Sequence, residues 1–203
     1  LGQLVDTVGS LGAAAIAFDM VFTEPDRTSL GPQLQRLQAQ GIAIQVPEGA
    51  PLDNDQAFAA AIARNPVVMG VALSSETGRA LSPPLAGLSF AGSDPRRYLP
   101  AFEGGLSNLP ELSAAASGIG SFSFPPARDN IIRAMPLVAA ADDQLYPGLG
   151  VEALRVAQGA SGLLLRSSDA SGESAAGPLA LTAVKVGVLE LPAGADGRFR
   201  IHY

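Results

Sequence analysis

Residues 13–26 read Ala-Ala-Ala-Ile-Ala-Phe-Asp-Met-Val-Phe-Thr-Glu-Pro-Asp, and the fold turns on how this stretch is read. Its first half, through Phe18, is a short continuous apolar run of the kind that forms a strand covered on both faces. Its second half becomes acidic and then meets Pro25. The pattern predicts a buried strand that delivers Asp19, Glu24 and Asp26 beyond its carboxyl end. In open α/β sheets ligands are met at that end, where the crossover connections leave a crevice.

Moving outward, Leu1, Leu4, Val5 and Val8 repeat at helical spacing, with Gly9 and Gly12 as the stop before the strand. On the other side, Leu30, Leu34 and Leu37 mark a short helix closed by Gly41, and residues 42–46 predict a second strand. Asp53 caps a helix whose Ala57, Phe58, Ala61 and Ile62 face inward, and Pro66 precedes a third strand over 67–73. Strand and helix alternate through Leu73. That alternation predicts an α/β fold with a mostly parallel central sheet, flanked by helices and built with right-handed crossovers.

The pattern then loosens. Residues 74–105 hold four prolines, at 83, 84, 95 and 100, and predict a cover over the sheet edge or a flap. Asn108 is placed to cap a small helix through Ser117, with Pro110 in its first turn. A strand over 119–124, turn chemistry over 125–130 and a returning partner strand over 131–140 follow, with Pro136 marking an edge or a bulge. Tyr146-Pro147 opens a helix ended by Gly159, residues 163–165 make a brief strand, and 167–177 is a Ser, Gly and Ala-rich surface loop. Residues 184–191 and 199–203 read as a hairpin around Asp196-Gly197. The C-terminal half therefore contributes an antiparallel portion. One domain over 1–203, without internal repeats, is expected.

Composition narrows the function classes. The 203 residues carry a net charge of -6, with twelve Arg, a single Lys185 and no basic run. No nucleic-acid partner is expected, because there is no electrostatic footprint for a phosphate backbone. The absence of cysteine excludes disulfides, thiolate metal sites and a cysteine nucleophile. No stretch approaches the roughly eighteen apolar residues of a membrane span. The chain opens on Leu1 and not on Met, and reads as a piece of a longer protein.

Several stretches together carry a resemblance. Phe-Asp-Met-Val-Phe-Thr-Glu-Pro-Asp at 18–26, Pro-Val-Val-Met-Gly at 66–70, Gly-Ile-Gly-Ser-Phe-Ser-Phe-Pro-Pro at 118–126, and the runs 130–137 and 146–155 resemble, in that order, the CHASE family of second type. The likeness covers most of the chain and lies in the ordered set. It implies an extracytoplasmic sensory domain of a bacterial membrane receptor, joined through transmembrane helices outside this stretch to a cytoplasmic adenylate cyclase or protein kinase. It also implies an earlier strand bearing an acid, which this sequence lacks. Where the family commonly has Asp-Gly before the returning strand, Asp129-Asn130 stands here; Asn tolerates positive φ, so the turn survives.

The candidate ligand-binding residues are Asp19, Glu24, Asp26, Asn130, Arg133 and Tyr146. The three acids suit a hard cation such as Mg2+ or Ca2+, or equally a strand-end hydrogen bond and a helix cap. A phosphatase-like site would want a second acid two residues after Asp19, and Val21 stands there. Arg133, near Asn130, suits an anionic ligand or a structural ion pair with the acids. Tyr146 suits a pocket wall or a hydrophobic staple. His202, the only histidine, reads as a half-exposed strand residue, and no nucleophile elbow, phosphate loop or dinucleotide glycine pattern is found. No catalytic residue, metal site or cofactor is therefore expected. The first expectation is a sensor of a small-molecule or protein ligand that works as a homodimer; the alternatives are a constitutive dimerisation scaffold and a metal-dependent hydrolase.

Overall fold

The computed structural model describes residues 1–47, 49–76, 78, 80–124, 131–171 and 178–201. Helix α1 (Gly2–Ser10) leads into strand β1 (Ile16–Phe18); α2 (Leu30–Ala39) and α3 (Asn54–Ala63) follow, and then β2 (Val67–Ser74). β1 and β2 are parallel, with Ile16 opposite Val67 and Phe18 opposite Met69. Asp53 caps α3 as expected, its carboxylate accepting from the N–H groups of Asp55 and Gln56 at 2.9 and 3.1 Å. Gly41 closes α2 at φ 78°, a conformation costly for any side chain-bearing residue.

Two expectations fail in this half. β1 is only three residues long and, among the described residues, pairs with β2 alone; Phe18 is its single buried residue and Ala17 is exposed, so the strand is less buried than its apolar run suggests. Residues 42–46 form no strand and are exposed, because β1 pairs directly with β2 and residues 42–46 enter no ladder. The excursion from Leu30 to Leu52 is instead closed at its base, where Gly31 N–H donates to Leu52 O at 2.8 Å and Asn54 N–H donates to Ser29 Oγ at 3.0 Å.

Beyond β2 come β3 (Gly87–Ala91), β4 (Ala101–Phe102), β5 (Gly104–Leu106), α4 (Pro110–Ala115) and β6 (Gly118–Ser121). β6 lies parallel to β2, and β5 pairs antiparallel with the far half of β2. The irregular region thus supplies three short strands. Asn108 does not cap α4, whose cap position is Leu109; its side chain is buried and turned inward.

The last part holds β7 (Ala134–Pro136), β8 (Val138–Ala141), β9 (Gln144–Pro147), α5 (Leu149–Ala157), β10 (Gly162–Ser167), β11 (Leu181–Val186), β12 (Leu189–Pro192) and β13 (Arg198–Arg200). The expected returning strand over 131–140 splits in two and never pairs with β6. β7 pairs with β13, and β8 lies between β4 and β9. Leu137 N–H donates to Gly197 O and its C=O accepts from Gly148 N–H, which turns the chain between the two ladders. Tyr146 and Pro147 end β9 and do not open the helix. The hairpin is β11–β12, turning at Gly187 with φ 55°, whereas Asp196-Gly197 turns the chain toward β13. The expected turn at 125–130 and His202 lie outside the described residues, as does much of the loop at 167–177.

The layers follow from strand alternation. Val67 and Met69 face one way, into a cluster with Phe18, Phe58, Ile62, Leu112 and Val5, so α1, α3 and α4 cover that face. Gly118 and Gly120 face the other way onto α5: a Cβ on Gly120 would stand 2.7 Å from Leu149 Cα, and one on Gly118 would stand 2.5 Å from Glu152 Oε1. α5 also gives Val151 to the core of the four-stranded sheet β12-β11-β10-β3. Helix α5 therefore has a sheet on each side.

Candidate functional site

The chain beyond Phe18 runs along the carboxyl end of β1 and is pinned there. Phe22 N–H donates to Asn108 Oδ1 at 2.9 Å, Asn108 Nδ2 donates to Gly70 O at 2.8 Å, and Leu109 N–H donates to Phe22 O at 2.7 Å. One buried amide thus ties the acidic loop to β2. Phe18, Phe22 and Phe58 meet edge to face, with ring centres 5.4 to 6.0 Å apart. Because α3 runs back against the strands, its first turn lands at this same end.

A cavity of about 660 Å³ opens there, lined by Phe22 and Phe58, by Glu24 and Asp26 of the loop, by Asn54 and Asp55 of α3, and by Asp6 and neighbouring residues of α1. Its volume lies within the range of small-ligand sites. Asp26 is the most heavily engaged of its acids. Its carboxylate accepts from Thr28 N–H and Oγ1 at 2.8 and 2.6 Å and from Asn54 Nδ2 at 3.1 Å, while its own N–H donates to Asp55 Oδ2 at 2.7 Å. The bonds from Thr28, and then from Asn54, hold the Asp26 carboxyl below its ordinary range, since each favours the charged form. Asp6 is likewise held low, first by Arg64, which donates at 2.9 Å, and also by Asn65. Glu24 pairs with Arg27 at 2.6 Å in solvent.

The six candidates are not all brought together. Glu24 and Asp26 line the cavity. Asp19 is exposed just past β1 and lies outside that lining. Arg133 is exposed ahead of β7, where its C=O accepts from Ile201 N–H and its Nη1 lies 3.5 Å from Ile131 O; it too lies outside the lining. Tyr146 is fully buried in β9, with its hydroxyl donating to Ser82 O at 3.1 Å. Burial pushes that phenol up to about 12, with a smaller push from Asp142. Asn130 lies outside the described residues. Reading the sequence missed Asp6, Asn54 and Asp55. Asn54 and Asp55 directly follow the cap at Asp53, so the return of α3 to the carboxyl end of β1 could have located them. Among the described residues no three carboxylates or histidines stand where they could hold a metal ion. A metal-dependent hydrolase finds no donor set among them.

The comparison with protein families decides the lineage. The profile described as CHASE2 domain matches residues 1–203, the whole chain. The chain belongs to the CHASE2 family. CHASE2 domains are extracellular sensory domains, so the sensor class expected from the motifs stands. No curated protein and no solved structure matched the chain. No helix among the described residues is long and apolar enough to cross a membrane.

Proposed function

We propose that this CHASE2 domain is the extracytoplasmic ligand sensor of a transmembrane receptor, and that it sets the output of a cytoplasmic adenylate cyclase or kinase. The ligand site is the cavity at the carboxyl end of β1, with Glu24 and Asp26 on its rim and the two phenylalanines as its apolar wall. The carboxylates favour a small molecule or peptide end that brings hydrogen-bond donors or positive charge.

One observation carries this reading. The cavity wall and the base of the excursion from Leu30 to Leu52 are the same residues: Asp26 and Asn54 bond to each other, Asp55 holds the Asp26 N–H, and Asn54 N–H meets Ser29 Oγ. A ligand that competes for Asp26 or Asp55 loosens or resets that base. Signalling needs only a ligand that prefers one of two arrangements by a few kcal/mol.

The test uses the complete receptor in membranes, with cyclic AMP or phosphoryl transfer as the readout. Asp26→Asn and Asp55→Asn are expected to change basal or stimulated output while the protein reaches the membrane in normal amount. Unchanged output from both variants would remove the cavity from the signalling path.

A further inference from the structure

A second cavity, of about 280 Å³, lies between the β7–β13 ribbon, the start of α5 and strand β12. Phe199 stands opposite Met135 in the ribbon, so their side chains share a face. Gly150 and Leu154, four residues apart on α5, share another, and Leu191 closes the space from β12. The cavity is a pit and not a surface patch. Its floor, Leu137 and Val151, is 6% exposed and belongs to the hydrophobic core, whereas Met135, Leu154 and Phe199 at its rim are 38 to 40% exposed.

The lining selects by charge. Among the described residues no ionisable side chain lines this pit, whereas four carboxylates line the cavity beyond β1. An ion entering it would give up its water and meet no opposite charge. Water is a poor occupant as well, because apolar walls offer it few hydrogen bonds; such pits stay dry and take apolar guests.

Two glycines shape the pit for different reasons. A Cβ on Gly148 would stand 2.6 Å from Pro136 O, so a glycine is needed there for α5 to begin against β7. A Cβ on Gly150 would meet nothing within 4 Å. Gly150 is exposed in the first turn of α5, where a larger residue would suit the helix better and could gain contacts with the walls. Packing does not require this volume to stay open.

We propose that the pit between the β7–β13 ribbon and α5 is a second ligand site, which takes an uncharged, mainly apolar small molecule. It has room for one substituted ring or a short alkyl chain, and none for a helix. The inference is independent of the cavity beyond β1 and of what that cavity binds.

Toluene and its charged relative benzoate test it, with methyl resonances of the 203-residue chain as the readout. Toluene is expected to shift the methyls of Met135, Leu154 and Leu191 saturably, and benzoate to bind at least about tenfold more weakly. Gly150→Phe, which fills the pit, and Leu154→Lys, which brings a charge to its rim, should each weaken toluene by at least about tenfold while circular dichroism stays unchanged. Toluene that fails to saturate these methyls, binding indifferent to both variants, or benzoate bound as tightly as toluene would each overturn the proposal. So would methyls that shift with protein concentration alone, which would give the pit to a second copy of the chain, or methyls that show contacts to residues 125–130, which would give it to the chain's own loop.

Discussion

Glu24 and Glu152 each stand three residues before an arginine, and each touches it, at 2.6 Å and 2.7 Å. The first pair lies in the loop after β1, with its side chains 65% and 85% exposed; in the second, Glu152 is wholly buried and Arg155 nearly so. Spacing and distance are alike, so the difference is entirely one of surroundings. Water and salt screen the loop pair, and holding two long side chains together costs entropy there. In α5, packed between two sheets, each charge has lost its water and must be compensated in full. Arg155 does so by donating to both oxygens of Glu152, to Ala160 O at 2.7 Å and to Ser117 O at 2.8 Å. The α5 pair locks the frame, and the loop pair leaves the rim of the cavity free to respond.

The largest expected effect comes from breaking the α5 pair. Arg155→Met leaves Glu152 buried without a cation and should cost about 3–5 kcal/mol, seen as a lower urea midpoint. Replacing both partners with Met should recover much of that loss, because no lone charge remains. If Arg155→Met proved no more harmful than a surface change, the contrast between the two pairs would collapse.

Tyr146→Phe should come next, at about 1 kcal/mol, by leaving Ser82 O without its donor. It also has a pH signature. A phenol raised from 10 to about 12 remains protonated in the fold while it ionises in the unfolded chain. The native state then binds the extra proton, so this part of the stability is whole below pH 10 and is lost as pH rises toward 12. The variant should lack that decline, and its ultraviolet titration should lack the step near 12.

What the residues disclosed about themselves follows the same division between local and distant causes. The cap at Asp53, the stop at Gly41, the strand beginning at Val67 and the alternation of elements were legible, because each depends on neighbours within a few positions. The rim acids Glu24 and Asp26 were legible for the same reason: they follow an apolar run directly. Pairing was not. Residues 42–46 carry strand-like alternation yet find no ladder, and residues 131–140 carry one continuous apolar pattern yet serve two different sheets. Asn108 looked like a cap because it precedes Pro110, but its partners are Gly70 and Phe22, far away in sequence. Glu152 and Arg155 resemble any solvent pair on a helix until the second sheet is in place.

A smaller effect is expected at Asp26, and only in acid. Its folded pKa lies below the ordinary 3.8, so its contribution to stability is present above 3.8 and is lost as pH falls through the folded value. Asp26→Asn keeps an oxygen for Thr28 but cannot accept a charge-assisted bond from Asn54. Wild type should therefore exceed the variant in thermal midpoint at neutral pH, and the two should converge below pH 3.8.

The smallest effect belongs to the exposed member of the opening comparison. Glu24→Gln removes half of an ion pair that is open to solvent on both sides, so its thermal midpoint should match wild type at physiological salt. Any difference should appear only at low ionic strength, where screening weakens. Its value lies in separating stability from binding: Glu24 lines the cavity through a side chain the fold does not need. A ligand that contacts the rim should lose affinity in this variant even though the melting curve stays put. A shifted melting curve with unchanged affinity would reverse the assignment and make Glu24 part of the frame.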